Sequence, residues 1–76
     1  MNERVLDLIK KGNELIKTEN YDDALSYFEQ ALILEPNNAE LWNRKGVALR
    51  SLGRYDEALE CFNKSLSIEP RDNKAS

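Results

Sequence analysis

Apolar residues along this chain recur at steps of three and four, the spacing that places side chains on one face of an α-helix. The first series is Val5, Leu8, Gly12 and Leu15, and the second is Ala24, Leu25, Phe28, Ala31 and Leu32. Both series return further along the chain. The pattern predicts four helices, over residues 3–18, 22–34, 39–52 and 56–68.

Turn and capping residues fall between these predicted helices. Pro36 and Pro70 cannot continue a helix, and each follows the second helix of a pair. Gly53 and the Glu19-Asn20 step separate the first helix of each pair from the second. Asn38 stands where it can cap the third helix. The sequence therefore predicts two helical hairpins.

The chain repeats itself at a spacing of 34 residues, so that each hairpin is one copy of the same unit. Among the identical pairs are Gly12 and Gly46, Tyr21 and Tyr55, Ala24 and Ala58, Phe28 and Phe62, and Pro36 and Pro70. We expect a single domain over residues 1–76. Repeat one spans 5–38, repeat two spans 39–72, and a tail covers 73–76.

These residues resemble the tetratricopeptide repeat (TPR), whose period and pattern they share. The signature positions are held by Gly12, Tyr21, Ala24, Phe28, Ala31 and Pro36, and by Trp42, Gly46, Tyr55, Ala58, Phe62 and Pro70. The chain departs from the pattern where Leu8 replaces Trp, Lys11 and Lys45 replace Leu, Leu15 and Leu49 replace Tyr, Ser65 replaces Ala, and Glu19 replaces Gly. The resemblance implies an all-α solenoid of two antiparallel helix-turn-helix hairpins in a right-handed superhelical stack.

The two ends of the stack differ in polarity. Leu41, Ala48 and Leu52 of the second unit correspond to Asp7, Glu14 and Thr18 of the first, which suits a solvent-facing N-terminal end. At the other end, a stripe without an obvious cover predicts either weak self-association into a homo-oligomer or binding of the C-terminal tail back onto the stripe. Its members are Leu59, Phe62, Leu66 and Ile68. Trp42 is expected to pack between the units.

Composition limits the chemistry available. The chain has no histidine and one cysteine, Cys61, so we expect no metal, no cofactor and no enzymatic activity. Cys61 is interpreted as a packed free thiol. The apolar runs are too short to cross a bilayer, and the N-terminus lacks a signal-peptide pattern, so a cytoplasmic protein without membrane contact is expected. The net charge of -3 argues against a nucleic-acid partner.

Charge is divided unevenly among the predicted helices. Basic residues outnumber acidic ones seven to four in the first and third helices, and acidic residues dominate the second and fourth. In the TPR family the first helix of each repeat lines the concave face, which implies a basic groove and an acidic outer surface. Helical spacing places the candidate groove residues on matching stripes. They are Leu6, Ile9, Lys10, Asn13, Lys17, Glu40, Asn43, Arg44, Val47 and Arg50.

The predicted function is that of a protein-interaction module, an adaptor or scaffold that binds an acidic-aliphatic peptide or helix in this groove. The alternative is a structural repeat that self-associates through its C-terminal face without a dedicated ligand. RNA binding is a third and remote alternative, because the predicted groove lacks aromatic side chains on which bases could stack. In chaperone-binding relatives Lys and Asn residues grip a C-terminal carboxylate. Ile9 and Arg44 replace two of them here, so recognition of chaperone tails is not expected.

Overall fold

A computed structural model describes residues 2–70, which form four α-helices and contain no β-strand. The helices are α1 (Glu3–Lys17), α2 (Tyr21–Leu34), α3 (Ala39–Ser51) and α4 (Tyr55–Ile68). Each observed boundary lies within one residue of its prediction, and the predicted all-α fold is confirmed. The predicted tail, residues 73–76, lies outside the described residues.

Helix ends are fixed by local hydrogen bonds. At the start of α3 the Asn38 side chain accepts a hydrogen bond from the Leu41 backbone N–H at 3.2 Å, as predicted. Asn2 caps α1 in the same way by accepting from the Arg4 N–H at 2.8 Å, an N-cap that the sequence analysis missed. Each of these side chains satisfies a backbone donor that the first turn of a helix leaves unpaired.

The C-termini of α1 and α3 share one capping motif. Backbone N–H groups of Glu19 and Asn20 donate back to the last turn of α1, at 3.0 and 2.8 Å, and Gly53 and Arg54 do the same for α3. This motif requires a positive φ at the residue after the cap, and φ is 64° at Glu19 and 81° at Gly53. Glycine adopts that conformation freely, whereas glutamate does so only with strain.

Within each hairpin a glycine of the first helix lies directly against an aromatic ring of the second. A Cβ atom added at Gly12 would come within 2.4 Å of the Phe28 ring, and one added at Gly46 would come within 2.6 Å of the Phe62 ring. Carbon atoms that are not bonded to each other do not approach so closely. The helices therefore need glycine at these positions in order to pack, despite its low helix propensity.

The core consists of two neighbouring apolar clusters. The first contains Val5, Ile9, Ala24, Phe28, Ala31, Leu32 and Leu41, and the second contains Leu25, Ala48, Leu49, Ala58 and Cys61. Trp42 packs against both clusters, as predicted, and its indole Nε1–H donates to the Pro36 carbonyl oxygen at 2.8 Å. Because Leu41 of α3 completes the first cluster, the second hairpin closes the core of the first.

The predicted difference in polarity between the two ends is visible in the burial of equivalent residues. Asp7 and Glu14 on α1 and Thr18 at its C-cap are exposed, whereas Leu41 and Ala48 on α3 are fully buried. The face of α1 that has no preceding hairpin in the described structure is therefore polar.

The C-terminal face differs in part from its prediction. Leu59 and Leu66 are exposed, at 59% and 45%, as expected for an uncovered stripe. Phe62 and Ile68 were placed in the same stripe, but both are partly buried. Phe62 is partly covered because its ring lies on Gly46 within its own hairpin.

Candidate protein-binding groove

A cleft of about 640 Å³ opens between α1 and α3, the first helices of the two hairpins. Short turns join successive helices, so each helix runs antiparallel to the next, and α1 and α3 run in the same direction. Residues from all four helices and from the segment after α4 line the cleft. They are Asn13, Ile16, Lys17, Phe28, Ala39, Glu40, Asn43, Arg44, Val47, Ser65 and Glu69.

The structure brings together part of the set of groove residues predicted from helical spacing. Those that line the cleft are Asn13, Lys17, Glu40, Asn43, Arg44 and Val47. Leu6, Lys10 and Arg50 are exposed on the same two helices but do not line the cleft. Ile9 was also predicted to line the groove, but its side chain is buried in the first apolar cluster and offers little surface to a ligand. One turn from both Val5 and Gly12, its side chain turns toward α2.

Arg44 is the best-anchored charged residue of the cleft. Its Nη1 donates to Asn13 Oδ1 at 2.7 Å, and its Nη2 pairs with Glu40 on the preceding turn of α3. Its Nε is buried and has no hydrogen-bond partner among the described residues. Because Asn13 belongs to α1 and Arg44 to α3, their hydrogen bond connects the two hairpins across the cleft.

The charge of the cleft is mixed. Lys17 and Arg44 contribute positive charge to its lining, whereas Glu40 and Glu69 contribute negative charge. Lys45, which adds to the basic count of α3, points away from the cleft and forms an ion pair with Glu29 of α2 at 3.5 Å. A count of charges by helix therefore overstates how basic the cleft lining is.

Ser65 forms part of the cleft wall that the sequence analysis did not anticipate. This buried residue donates from its hydroxyl to the Ala39 carbonyl oxygen at 2.9 Å, which ties α4 to the start of α3. Ser65 occupies the position equivalent to Ala31 in the first hairpin. The replacement of alanine by serine could have indicated this contact, since a serine in a packed face usually needs a hydrogen-bond acceptor.

The remaining candidate residues lie outside the cleft. Cys61 is a buried free thiol, and burial raises its pKa, which favours the protonated and less reactive form. The Lys45 and Lys64 ammonium groups lie 5.4 and 6.0 Å from the Trp42 ring centre, within the range of cation–π attraction. Residues 2–70 hold no cluster of three or more His, Cys, Asp or Glu side chains suited to a metal ion.

The fold is that of a short α-helical repeat protein. It consists of two helical hairpins that pack together along one seam, with a cleft between their first helices. Comparison with known families agrees, because the family model described as tetratricopeptide repeat matches residues 9–74. The chain belongs to the tetratricopeptide repeat family. The repeats of this family generally mediate protein–protein interaction, and the family is typically non-catalytic.

A known TPR repeat-containing protein is similar to part of this chain. The chain is 41% identical over 46 residues to a TPR repeat-containing protein of Picosynechococcus sp. (strain ATCC 27264 / PCC 7002 / PR-6). The match covers 60% of this chain and 12% of that protein, so the chain spans a small part of its relative's length. Among residues 2–70, none of the helices has the length and apolar character needed to span a bilayer.

Proposed function

We propose that this chain is a non-enzymatic protein-interaction module that binds a partner segment along α1 and α3. The preferred segment is extended or helical and carries acidic residues around one or two aliphatic ones. The observation that supports this most strongly is the exposure of Lys10, Lys17 and Arg50, none of which forms an ion pair within residues 2–70. Ile16 and Val47, which line the cleft together with Lys17, offer apolar surface to the ligand.

The proposed contact surface keeps nine of the residues predicted from the sequence and omits the buried Ile9. It consists of Leu6, Lys10, Asn13, Lys17, Glu40, Asn43, Arg44, Val47 and Arg50. Two repeats offer a short groove, so we expect affinities on the order of micromolar or weaker. Binding should weaken as salt screens the exposed charges.

Reversing the exposed basic charges of the groove tests this proposal. Lys10, Lys17 and Arg50 replaced together by Glu should abolish binding of an acidic-aliphatic peptide, measured by fluorescence anisotropy at low salt. Arg44 is left unchanged because it also hydrogen-bonds to Asn13 of the other hairpin, so charge reversal there would remove that contact together with the positive charge.

A matched variant with the same change in net charge distinguishes the effect of the groove charges on binding from the effect of the protein's net charge. Arg4, Lys11 and Lys64 are exposed but belong neither to the cleft lining nor to the proposed contact surface, so their joint replacement by Glu should leave most of the binding intact. Exchanging Asp22, Asp56 and Glu60 on the outer surface for Lys should also leave the groove competent. Loss of binding in the outer-surface variants but not in the groove variant would refute the groove as the binding site.

A second candidate function is self-association through α4, and one internal comparison favours it. Leu25 and Leu32 on α2 are 6% and 8% exposed because α3 covers them, whereas their equivalents Leu59 and Leu66 are 59% and 45% exposed. The α4 surface is thus the counterpart of one that α3 buries in the same molecule.

Sedimentation velocity over a wide range of protein concentration tests self-association. Replacing both Leu59 and Leu66 by Lys should abolish any concentration-dependent species, and the fold should survive because both side chains are exposed. Ile33, an exposed aliphatic residue on α2, provides the control when it is replaced by Lys. Phe62 is not used for this test because it packs on Gly46, so its replacement would disturb the fold. A strict monomer at all concentrations would eliminate self-association as a candidate function.

The finer assignments are part of the same proposal. They comprise one domain with repeat one over 5–38 and repeat two over 39–72, an adaptor or scaffold role, and a cytoplasmic location. We also propose that neither nucleic acid nor a membrane is a partner, since the charge of -3 disfavours binding to phosphate-rich surfaces.

A further inference from the structure

We propose that Glu40 competes with the acidic groups of the ligand for Arg44 and thereby sets the affinity of the groove. This inference rests on the proposed function, since it concerns the same cleft. The proposed function treats Glu40 only as a contact residue. Here Glu40 also determines how strongly acidic ligands bind relative to neutral ones.

The two hydrogen-bond partners of Arg44 are held very differently. Asn13 is partly buried and reaches Arg44 from the other hairpin, so it is fixed by the packing of α1 against the rest of the fold. Glu40 lies on the same helix as Arg44, four residues earlier, and its side chain is 56% exposed. Exposed pairs at this spacing are weak because solvent screens them and both side chains lose freedom on pairing.

The orientation of the guanidinium determines where a ligand can bind it. Nη1 is occupied by Asn13, and Nε is buried, so the Nη2 edge that Glu40 occupies is the edge a ligand carboxylate can reach. A ligand carboxylate would take the position of the Glu40 carboxylate while Asn13 keeps the Arg44 side chain in place. Displaced Glu40 would remain at the cleft wall and repel the acidic ligand.

A ligand without negative charge would leave the Arg44–Glu40 pair intact. Removal of the Glu40 charge should therefore strengthen the binding of acidic ligands and should have little effect on neutral ones. Suitable probes are a capped peptide of about ten residues, in which Glu alternates with Leu and Ala, and a twin with Gln at every Glu.

Glu40→Gln should bind the acidic peptide roughly three- to tenfold more tightly than wild type, as judged from titrations at low salt. The twin peptide should show no such gain. Glu57→Gln is the matched control, because Glu57 also pairs with an arginine close in sequence, Arg54 at the N-cap of α4, but lies outside the cleft. This control should bind both peptides as wild type does, and helical circular dichroism should show that all variants are folded.

A double-mutant cycle locates the effect at Arg44. Arg44→Gln should weaken binding of the acidic peptide, and in that background Glu40→Gln should give less than half of its original gain. An equal gain in both backgrounds would overturn the inference, since the effect would then come from the net charge of the cleft.

Other outcomes separate this inference from the proposed function. Wild-type binding that Glu40→Gln leaves unchanged would overturn the competition and keep the groove as the site. Absence of saturable binding in wild type and in Glu40→Gln alike would overturn both. Binding that becomes measurable only in Glu40→Gln would support both, with Glu40 as the residue that suppresses it.

Discussion

The two hairpins share a sequence pattern but not an environment. Both pack a glycine against a phenylalanine ring, and both end their first helix with the same backbone motif. Phe28 is nevertheless fully buried, whereas its equivalent Phe62 is only partly buried. The difference arises because α3 covers the first hairpin, while the corresponding side of α4 is exposed. The same side chain therefore contributes differently to stability in the two repeats.

Truncation of the two phenylalanines should show the largest difference between the hairpins. Phe28→Ala should lower the free energy of unfolding by about 4 kcal/mol, in the range for removal of a buried aromatic ring. Phe62→Ala should cost about 2 kcal/mol, since part of its ring is already in contact with solvent. Urea unfolding followed by circular dichroism measures both. Equal losses would mean that the second ring is covered in solution, for example by a second copy of the chain.

The next comparison concerns the seam between the hairpins. Trp42 contacts both apolar clusters, whereas its equivalent Leu8 packs against the first cluster alone. Trp42→Ala should therefore cost about 3 kcal/mol and Leu8→Ala about 1–2 kcal/mol in the same unfolding assay. Trp42→Phe keeps most of the apolar contact but loses the hydrogen bond to the Pro36 carbonyl, at a cost of about 1 kcal/mol. A loss below about 1 kcal/mol for Trp42→Ala would show that the seam does not depend on this side chain.

These differences also show which features sequence can predict. Helix positions and the Asn38 cap follow from spacing and local chemistry, which are properties of single segments. The position of Ile9 does not follow from these local properties. Helical spacing places it at the border between the core face and the groove face, and the packing of α2 decides which one it joins.

The Asn13–Arg44 hydrogen bond illustrates the same limit. It depends on the distance between α1 and α3, which is set by the packing of α2 against both of these helices. The mixed charge of the cleft likewise includes Glu69, a residue that follows the fourth helix and was not on either predicted stripe. Contacts between repeats therefore require the three-dimensional structure, even where each repeat is recognisable from its sequence.

The turns between the helices of each hairpin allow a test in the stabilising direction. Glu19 adopts a φ of 64°, and its equivalent Gly53 a φ of 81°. Glu19→Gly should raise the free energy of unfolding by about 1 kcal/mol because it relieves the strain of a left-handed conformation.

Gly53→Ala is the reciprocal change and should lower the free energy of unfolding by about 1 kcal/mol. No atom lies within 4 Å of the added Cβ, so its effect reports backbone conformation alone. Destabilisation by Glu19→Gly would show that the flexibility that glycine gives the unfolded chain outweighs the strain relieved in the turn.

The smallest expected difference concerns acid sensitivity. A hydrogen bond from the Asn38 side chain, with a second from the Asn2 backbone N–H, lowers the pKa of Glu35 below the ordinary value for a glutamate. In the second hairpin, hydrogen bonds from Arg54 lower the pKa of Glu57. A lowered pKa in the folded state means that each carboxylate stabilises the fold above its unfolded pKa, and that this contribution is lost as pH falls through the folded pKa.

Glu35 connects the start of α1 with the start of α3, whereas Glu57 and Arg54 are three residues apart. Unfolding breaks the Glu35 contact to Asn2, which is 33 residues away, whereas the Glu35–Asn38 and Arg54–Glu57 contacts each join residues three apart and can persist in part in the unfolded chain. Glu35→Gln should therefore reduce the loss of stability between about pH 5 and pH 3 more than Glu57→Gln does. Asn38→Ala should also reduce that loss, because it removes the donor that lowers the Glu35 pKa most. Thermal melts at closely spaced pH values would measure these slopes, and a larger effect of Glu57→Gln would show that the local pair, and not the link between hairpins, governs acid sensitivity.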